Sequence, residues 1–239
     1  MFKAEEFYAL RTGLAPRIGT EPNGSATYNR LRPCCLGRLR VATGRVAAGG
    51  PRVFGGRADD RTWGEQQHDS IAVFGPVPAG LHEVWLTFAV PLDDPIGFLA
   101  YLSLVFDDSP IATIEPWIAE GAPQPHGQPT DSFVHVDNSL IGVMDAAVAD
   151  DADEVVAAAG ESLSRTQVSA CIAPLSSPEI GSPESCDSVV VCRAMAGTYP
   201  VVATRSALGE VTGLHIDFAI VGPRNRKDWW KARHTHARP

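Results

Sequence analysis

Gly197-Thr-Tyr-Pro-Val-Val-Ala-Thr-Arg-Ser-Ala-Leu-Gly-Glu-Val-Thr-Gly-Leu-His-Ile-Asp-Phe218 reads as two β-rich runs flanking Ser206-Ala-Leu-Gly-Glu210. Val, Thr, Tyr, Ile and Phe suit the pleated, half-buried surface of a strand, and Gly209 is placed for the positive φ of a hairpin loop. The stretch therefore predicts an antiparallel hairpin. Working outward, the same signature recurs. Ile71–Phe74, Leu81–Val90, Phe98–Phe106, Ile111–Trp117 and Ser188–Met195 are short apolar or alternating runs bounded by Gly, Pro or Asp. Leu81–Val90 and Phe98–Phe106 are separated by a linker of hairpin length, and Asp107-Asp-Ser-Pro110 forms a further turn. Together they suggest an antiparallel meander. Leu36–Ala48 reads as another hairpin, turning near Thr43-Gly44.

Helical signals are few. Phe2, Phe7, Tyr8 and Leu10 have near-helical spacing within residues 1–12. Asp145-Ala-Ala-Val-Ala-Asp-Asp-Ala-Asp-Glu-Val-Val-Ala-Ala-Ala-Gly160 is Ala-rich, has its acids early, where the helix dipole favours negative charge, and is expected to stop at Gly160. Residues 55–70, 119–132 and 174–188 are rich in Gly, Pro, Ser or polar residues and read as loops. No internal repeat of solenoid or propeller length stands out. The expected fold is mainly β (α+β), an antiparallel β-sandwich or half-open barrel with a few peripheral helices. It is read as one domain over 1–239: an N-terminal helix and loop (1–35), a β-rich core (36–221) and a basic aromatic tail (222–239).

Composition narrows the function. With 44% hydrophobic and 20% charged residues the chain is an ordinary globular one. A formal net charge of -8 argues against nucleic acid, since such binders present a field that attracts phosphate. No apolar run reaches the roughly 18–20 residues of a membrane helix. Met-Phe-Lys-Ala-Glu-Glu does not open like a signal peptide, so a cytoplasmic address is expected. Cys34, Cys35, Cys171, Cys186 and Cys192 are odd in number and form no CxxC pair, which predicts reduced, mostly buried thiols. Gly-x-Ser-x-Gly, GxxxxGK[ST] and a strand-linked GxGxxG are all missing, which disfavours serine nucleophiles of that type and phosphate-loop enzymes.

One stretch carries candidate chemistry. Phe133-Val-His-Val-Asp-Asn-Ser-Leu-Ile-Gly-Val-Met-Asp145 sets a histidine and two carboxylates among apolar residues. A buried, unpaired carboxylate costs several kcal/mol, so each acid needs hydrogen bonds, a cation or a ligand. If 133–137 is a strand, His135 and Asp137 share a face. They are the candidate ligands for a divalent cation and, with Asp145 and Asp217, candidate catalytic groups. The simpler readings are a turn at Asp137-Asn-Ser139, Asp145 as a helix N-cap, and exposure of Asp217 between core-facing Ile216 and Phe218. In the tail, Trp229 and Trp230 among cations are candidate partner-binding residues, or cover their own domain.

Several motifs resemble one family. Leu39-Arg-Val-Ala-Thr-Gly-Arg-Val-Ala-Ala48, Val77-Pro-Ala-Gly-Leu-His-Glu-Val84, Ile141-Gly-Val-Met-Asp-Ala146 and Gly197-Thr-Tyr-Pro-Val through Ile216-Asp-Phe218 are similar to successive motifs of the bacterial domain of unknown function family numbered 4241. The resemblance covers roughly 36–221 and implies a fold, with almost no chemistry. The leading functional expectation is a binding protein, of immunity or antitoxin type, whose acidic surface and 119–132 and 174–188 loops engage a basic protein partner. The alternative is a small metal-assisted hydrolase built on His135, Asp137, Asp145 and Asp217.

Overall fold

The computed structural model describes residues 7, 19–20, 26–50, 71–91, 97–120, 133–136, 140–166, 168–175, 188–195 and 197–218. The chain is mainly β, with two antiparallel sheets and few helices, as the sequence predicts. Its strands are β1 (Gly19–Thr20), β2 (Ala26–Val41), β3 (Val46–Gly49), β4 (Ala72–Phe74), β5 (Gly80–Pro91), β6 (Phe98–Val105), β7 (Thr113–Pro116), β8 (Phe133–Val136) and β9 (Leu140–Asp145). A 3-10 helix (Ala146–Asp151) and α1 (Asp153–Thr166) follow, then β10 (Ala170–Pro174), β11 (Ser188–Arg193), β12 (Gly197–Arg205) and β13 (Val211–Asp217). One sheet runs β1-β2-β5-β6-β13-β12-β7, with β8 also on β12; the other runs β10-β11-β9-β3-β4. Among the described residues neither closes into a barrel.

The chain divides into two compact units: Met1–Cys35 with Trp85–Glu115 and Val202–Pro239, and Leu36–Val84 with Pro116–Val201. In the first, Leu31, Trp85, Ala89, Ala100, Tyr101 and Val202 form a core that includes Phe7, whose ring meets Tyr101 edge-on at 4.9 Å. In the second, α1 lays Val156, Ala159 and Leu163 onto Ala47, Met144, Val189 and Val191 of its sheet. The spacing of those three helix residues is the i, i+3, i+7 stripe of an amphipathic helix.

The expected hairpin at 197–218 forms. Ser206 N donates to Glu210 O at 2.9 Å, and Gly209 takes φ 82°, the left-handed conformation that glycine reaches without a steric penalty. The expected β5–β6 pair forms too. Three expectations are corrected. Leu36–Ala48 is not a hairpin, because β2 and β3 join different sheets. The predicted turn exists, with Gly44 at φ 69°, but it hands the chain from one sheet to the other. Nor do β5, β6 and β7 make a meander: β13 and β12 lie between β6 and β7. A local pattern gives strands, whereas neighbours are chosen by long-range pairing.

The third correction concerns Gly160, which does not end the Ala-rich segment. The segment breaks at Ala152 between the 3-10 helix and α1, and α1 continues to Thr166. Gly160 is buried where an added Cβ would run into Leu140 Cδ1 and lie 3.1 Å from its Cδ2. The glycine permits close helix-to-strand approach rather than a left-handed cap.

Residues 1–12 apart from Phe7, the loop 55–70, most of 119–132 and 174–188, and the tail 222–239 lie outside the described residues. Of the cysteines, Cys34, Cys35, Cys171 and Cys192 are free, Cys192 buried and Cys34 and Cys35 exposed, the last two against the expectation of burial.

Candidate functional site

Asp145 closes β9 and is 3% exposed. Its extended backbone makes it the N-cap of the 3-10 helix, and its Oδ1 accepts from Ala147 N at 2.8 Å. The same oxygen accepts from the Thr43 hydroxyl at 2.7 Å, while Oδ2 accepts from Thr43 N at 2.8 Å. Burial pushes the carboxyl group up, but donors from Thr43, Ala147 and Ala42 outweigh it and hold it below the ordinary aspartate value. The sequence's question about this acid is answered by the turn at 42–45. Ala146 N donates to Arg45 O at 2.9 Å and Val77 N to Gly44 O at 2.9 Å, so the same turn is gripped by backbone on two sides. Arg45 then pairs with Glu120 through Nε at 3.1 Å and through its Nη2. That guanidinium is half-exposed, and Glu120 holds its proton more firmly than usual.

Both oxygens of Asp145 are thereby occupied by protein donors. Held by these donors and with its value lowered, this carboxylate serves as a structural anion that stays charged near neutrality. His135 lies on β8 opposite Thr198 of β12, between Val134 and Val136, which are both buried. Asp137, Trp229 and Trp230 lie outside the described residues. Asp217 belongs to the first unit, at the end of β13 opposite Tyr101, and is buried (6% exposed) along with Ile216 and Phe218. The expected outward position of Asp217 is corrected: the strand end is covered on both faces. Among the described residues no group of three or more His, Cys, Asp or Glu is placed to hold a metal ion.

The first unit contains a polar core that the sequence reading did not anticipate. His215, 1% exposed, faces Ser103 directly across β13 and β6, with Nδ1 2.8 Å from Ser103 Oγ. Its Nε2 lies 3.0 Å from Thr204 Oγ1, which accepts from the Thr212 hydroxyl at 2.9 Å. Gly213 makes this possible: a Cβ there would sit 2.8 Å from His215 Nε2, so the imbedded ring uses the space a side chain would take. Phe7 covers the ring at 4.3 Å between centroids. Burial pushes the imidazole down to about 3, so it is neutral, one nitrogen donating and the other accepting. A neutral imidazole beside a serine hydroxyl can in principle take its proton, but Ser103 and Thr204 are as buried as the ring. The arrangement orders the core.

The exposed surface is where charge is available. On β2, Leu31, Leu39 and Val41 are buried, while Arg30, Arg32, Arg38 and Arg40 stand exposed at alternate positions. Arg32 lies over the Phe88 ring at 5.8 Å. Where the 3-10 helix gives way to α1, Asp150, Asp151 and Glu154 are exposed, and within α1 Glu161 pairs with Arg165 one turn on at 3.0 Å. Arginine alternating with leucine at Arg30-Leu31-Arg32 and again at Arg38-Leu39-Arg40 was the available signal for the first of these faces.

No family model, curated protein or solved structure matches the chain. Among the described residues no helix is long and apolar enough to cross a membrane.

Proposed function

We propose that this chain is a binding protein, of immunity or antitoxin type, that engages a basic protein partner through its acidic surface. The observation that supports it most is the exposed run Asp150, Asp151 and Glu154 in a chain of net charge -8. Fields of this kind steer association and are strongly salt-dependent. The loops 119–132 and 174–188 and Trp229 and Trp230 are the further elements assigned to the partner in this reading. A cytoplasmic setting and kinship with the bacterial family numbered 4241 belong to the same proposal. The hydrolase reading is the weaker one, because the bonds that Asp145 makes to Thr43 and Ala147 already account for its burial and give it a structural role.

Co-purification of the whole chain with the product of a neighbouring gene tests the proposal. The expected result is a complex that weakens with salt and is lost in Asp150→Lys, Asp151→Lys, Glu154→Lys. Failure to recover any protein partner, or a complex indifferent to those changes, overturns it.

A further inference from the structure

The sheet of the second unit has two edges, and they differ. Along β4, Val73 O accepts from Glu120 N at 2.8 Å, so that edge is covered. Along β10, among the described residues, the ladder runs to β11 on one side and the other side is open. Arg193 N donates to Ser169 O at 2.8 Å, which makes Ser169 and Arg193 a hydrogen-bonded pair of the antiparallel ladder. Such pairs alternate with non-bonded ones. Cys171 and Ala173 therefore also bond toward β11, while Ala170, Ile172 and Pro174 turn their backbone groups outward. Pro174, which has no N–H to give, accordingly stands at an outward position. Ala170 is covered, Ile172 and Ala173 are part-exposed and Pro174 is exposed. All of these residues belong to the one unit.

Open edges are ordinarily guarded by charged side chains. Val168-Ser-Ala-Cys-Ile-Ala-Pro-Leu175 has none, in a chain where 20% of residues are charged and the net charge is -8. A strongly acidic or basic partner strand finds no counter-charge here, whereas a strand equally uncharged pairs without like-charge repulsion. The chain itself supplies one. We propose that β10 pairs with β10 of a second copy, antiparallel about a two-fold axis at Ile172, joining two five-stranded sheets into one. Ile172 then exchanges N–H and C=O with its counterpart, and Cys171 stands opposite Ala173 in a non-bonded pair. A shift toward Pro174 sets Ile172 against a residue with no amide, and a shift toward Cys171 rests the pair on covered Ala170. Because β4 is covered, pairing stops at two copies, a closed symmetric dimer rather than a fibre. Both copies of α1 fall on one face, and they fit. Each packs on Val189 and Val191 of its own β11. At about 4.8 Å per strand the two β11 strands lie roughly 14 Å apart, wider than the about 8–10 Å of packed helices. The dimer goes beyond the acidic-surface reading and stands if no basic partner exists.

The test is sedimentation equilibrium of the whole chain over a concentration series, with Ile172→Pro and Ile172→Val alongside. Two short strands bury little area, so the expected wild-type behaviour is a reversible monomer–dimer equilibrium. Ile172→Pro removes an N–H that faces outward, where an edge strand tolerates proline. It should weaken dimerisation at least about tenfold with an unchanged circular dichroism spectrum, whereas Ile172→Val should dimerise like the wild type. Should Ile172→Pro unfold the chain, crosslinking decides. With Cys34, Cys35 and Cys186 changed to serine, Ala173→Cys should form a disulfide between position 173 of one copy and Cys171 of the other under mild oxidation, mapped by mass spectrometry. A wild type that is monomeric at every concentration, which leaves the edge to another protein's strand, overturns the proposal. So does a dimer indifferent to Ile172→Pro, or one that gives no crosslink between positions 171 and 173.

Discussion

Removing the Asp145 carboxylate leaves the amides of Thr43 and Ala147 and the Thr43 hydroxyl without their acceptor. Asp145→Ala should therefore cost about 2–3 kcal/mol in chemical denaturation, and Thr43→Val, which keeps the amide bond, about 1 kcal/mol. A double-mutant cycle should show strong coupling; additive losses would refute the shared bond. His215 makes a pH prediction. Its ordinary value is 6.5 and burial holds it near 3, so the fold favours the neutral ring. Stability from this group is complete above 6.5 and is lost as pH falls from there toward 3, by on the order of 4 kcal/mol. His215→Gln should flatten that limb of the stability curve. The two residues differ in how they show themselves in sequence. Asp145, followed by Ala-Ala and an acid-rich run, announces a helix start. His215 needs Ser103, 112 positions away, and the bare backbone of Gly213 to become intelligible.

At the level of elements, glycine marks close contacts. Gly160→Ala in a helix interior ordinarily stabilises by about 1 kcal/mol, but here the new methyl displaces Leu140 from the surface of α1, so the thermal midpoint should fall. Gly213→Ala should cost more, about 1–3 kcal/mol, because the obstructing atom is His215 Nε2, fixed by Thr204. A rise in midpoint for either variant contradicts the packing described. Strand identity was legible from β-branched and aromatic runs, and most of the expected runs are strands. Strand neighbours were not legible: Leu39–Val41 and Val46–Ala48 look like the arms of a hairpin, and only the partners β4 and β9 show that β3 belongs to another sheet.

For the whole molecule, the two units should respond differently to acid. The first holds His215, which stays neutral in the fold but takes up a proton in the unfolded chain at mildly acidic pH; the second holds Asp145, whose lowered value keeps it charged past the ordinary aspartate range. Hydrogen exchange, corrected for intrinsic rate, should show amides of β6 and β13 losing protection on going from pH 7 to 5 before those of β9 and β11. The reverse order would contradict the assignment. The Thr43 turn has a further consequence in time. Thr43 and Asp145 are 102 positions apart, and synthesis at about 5–20 residues per second takes roughly 5–20 s to cover them. For that interval the nascent chain carries a turn whose clasp has not been made. A ribosome stalled short of Asp145 should leave 42–45 open to proteases, and one stalled well beyond it should not.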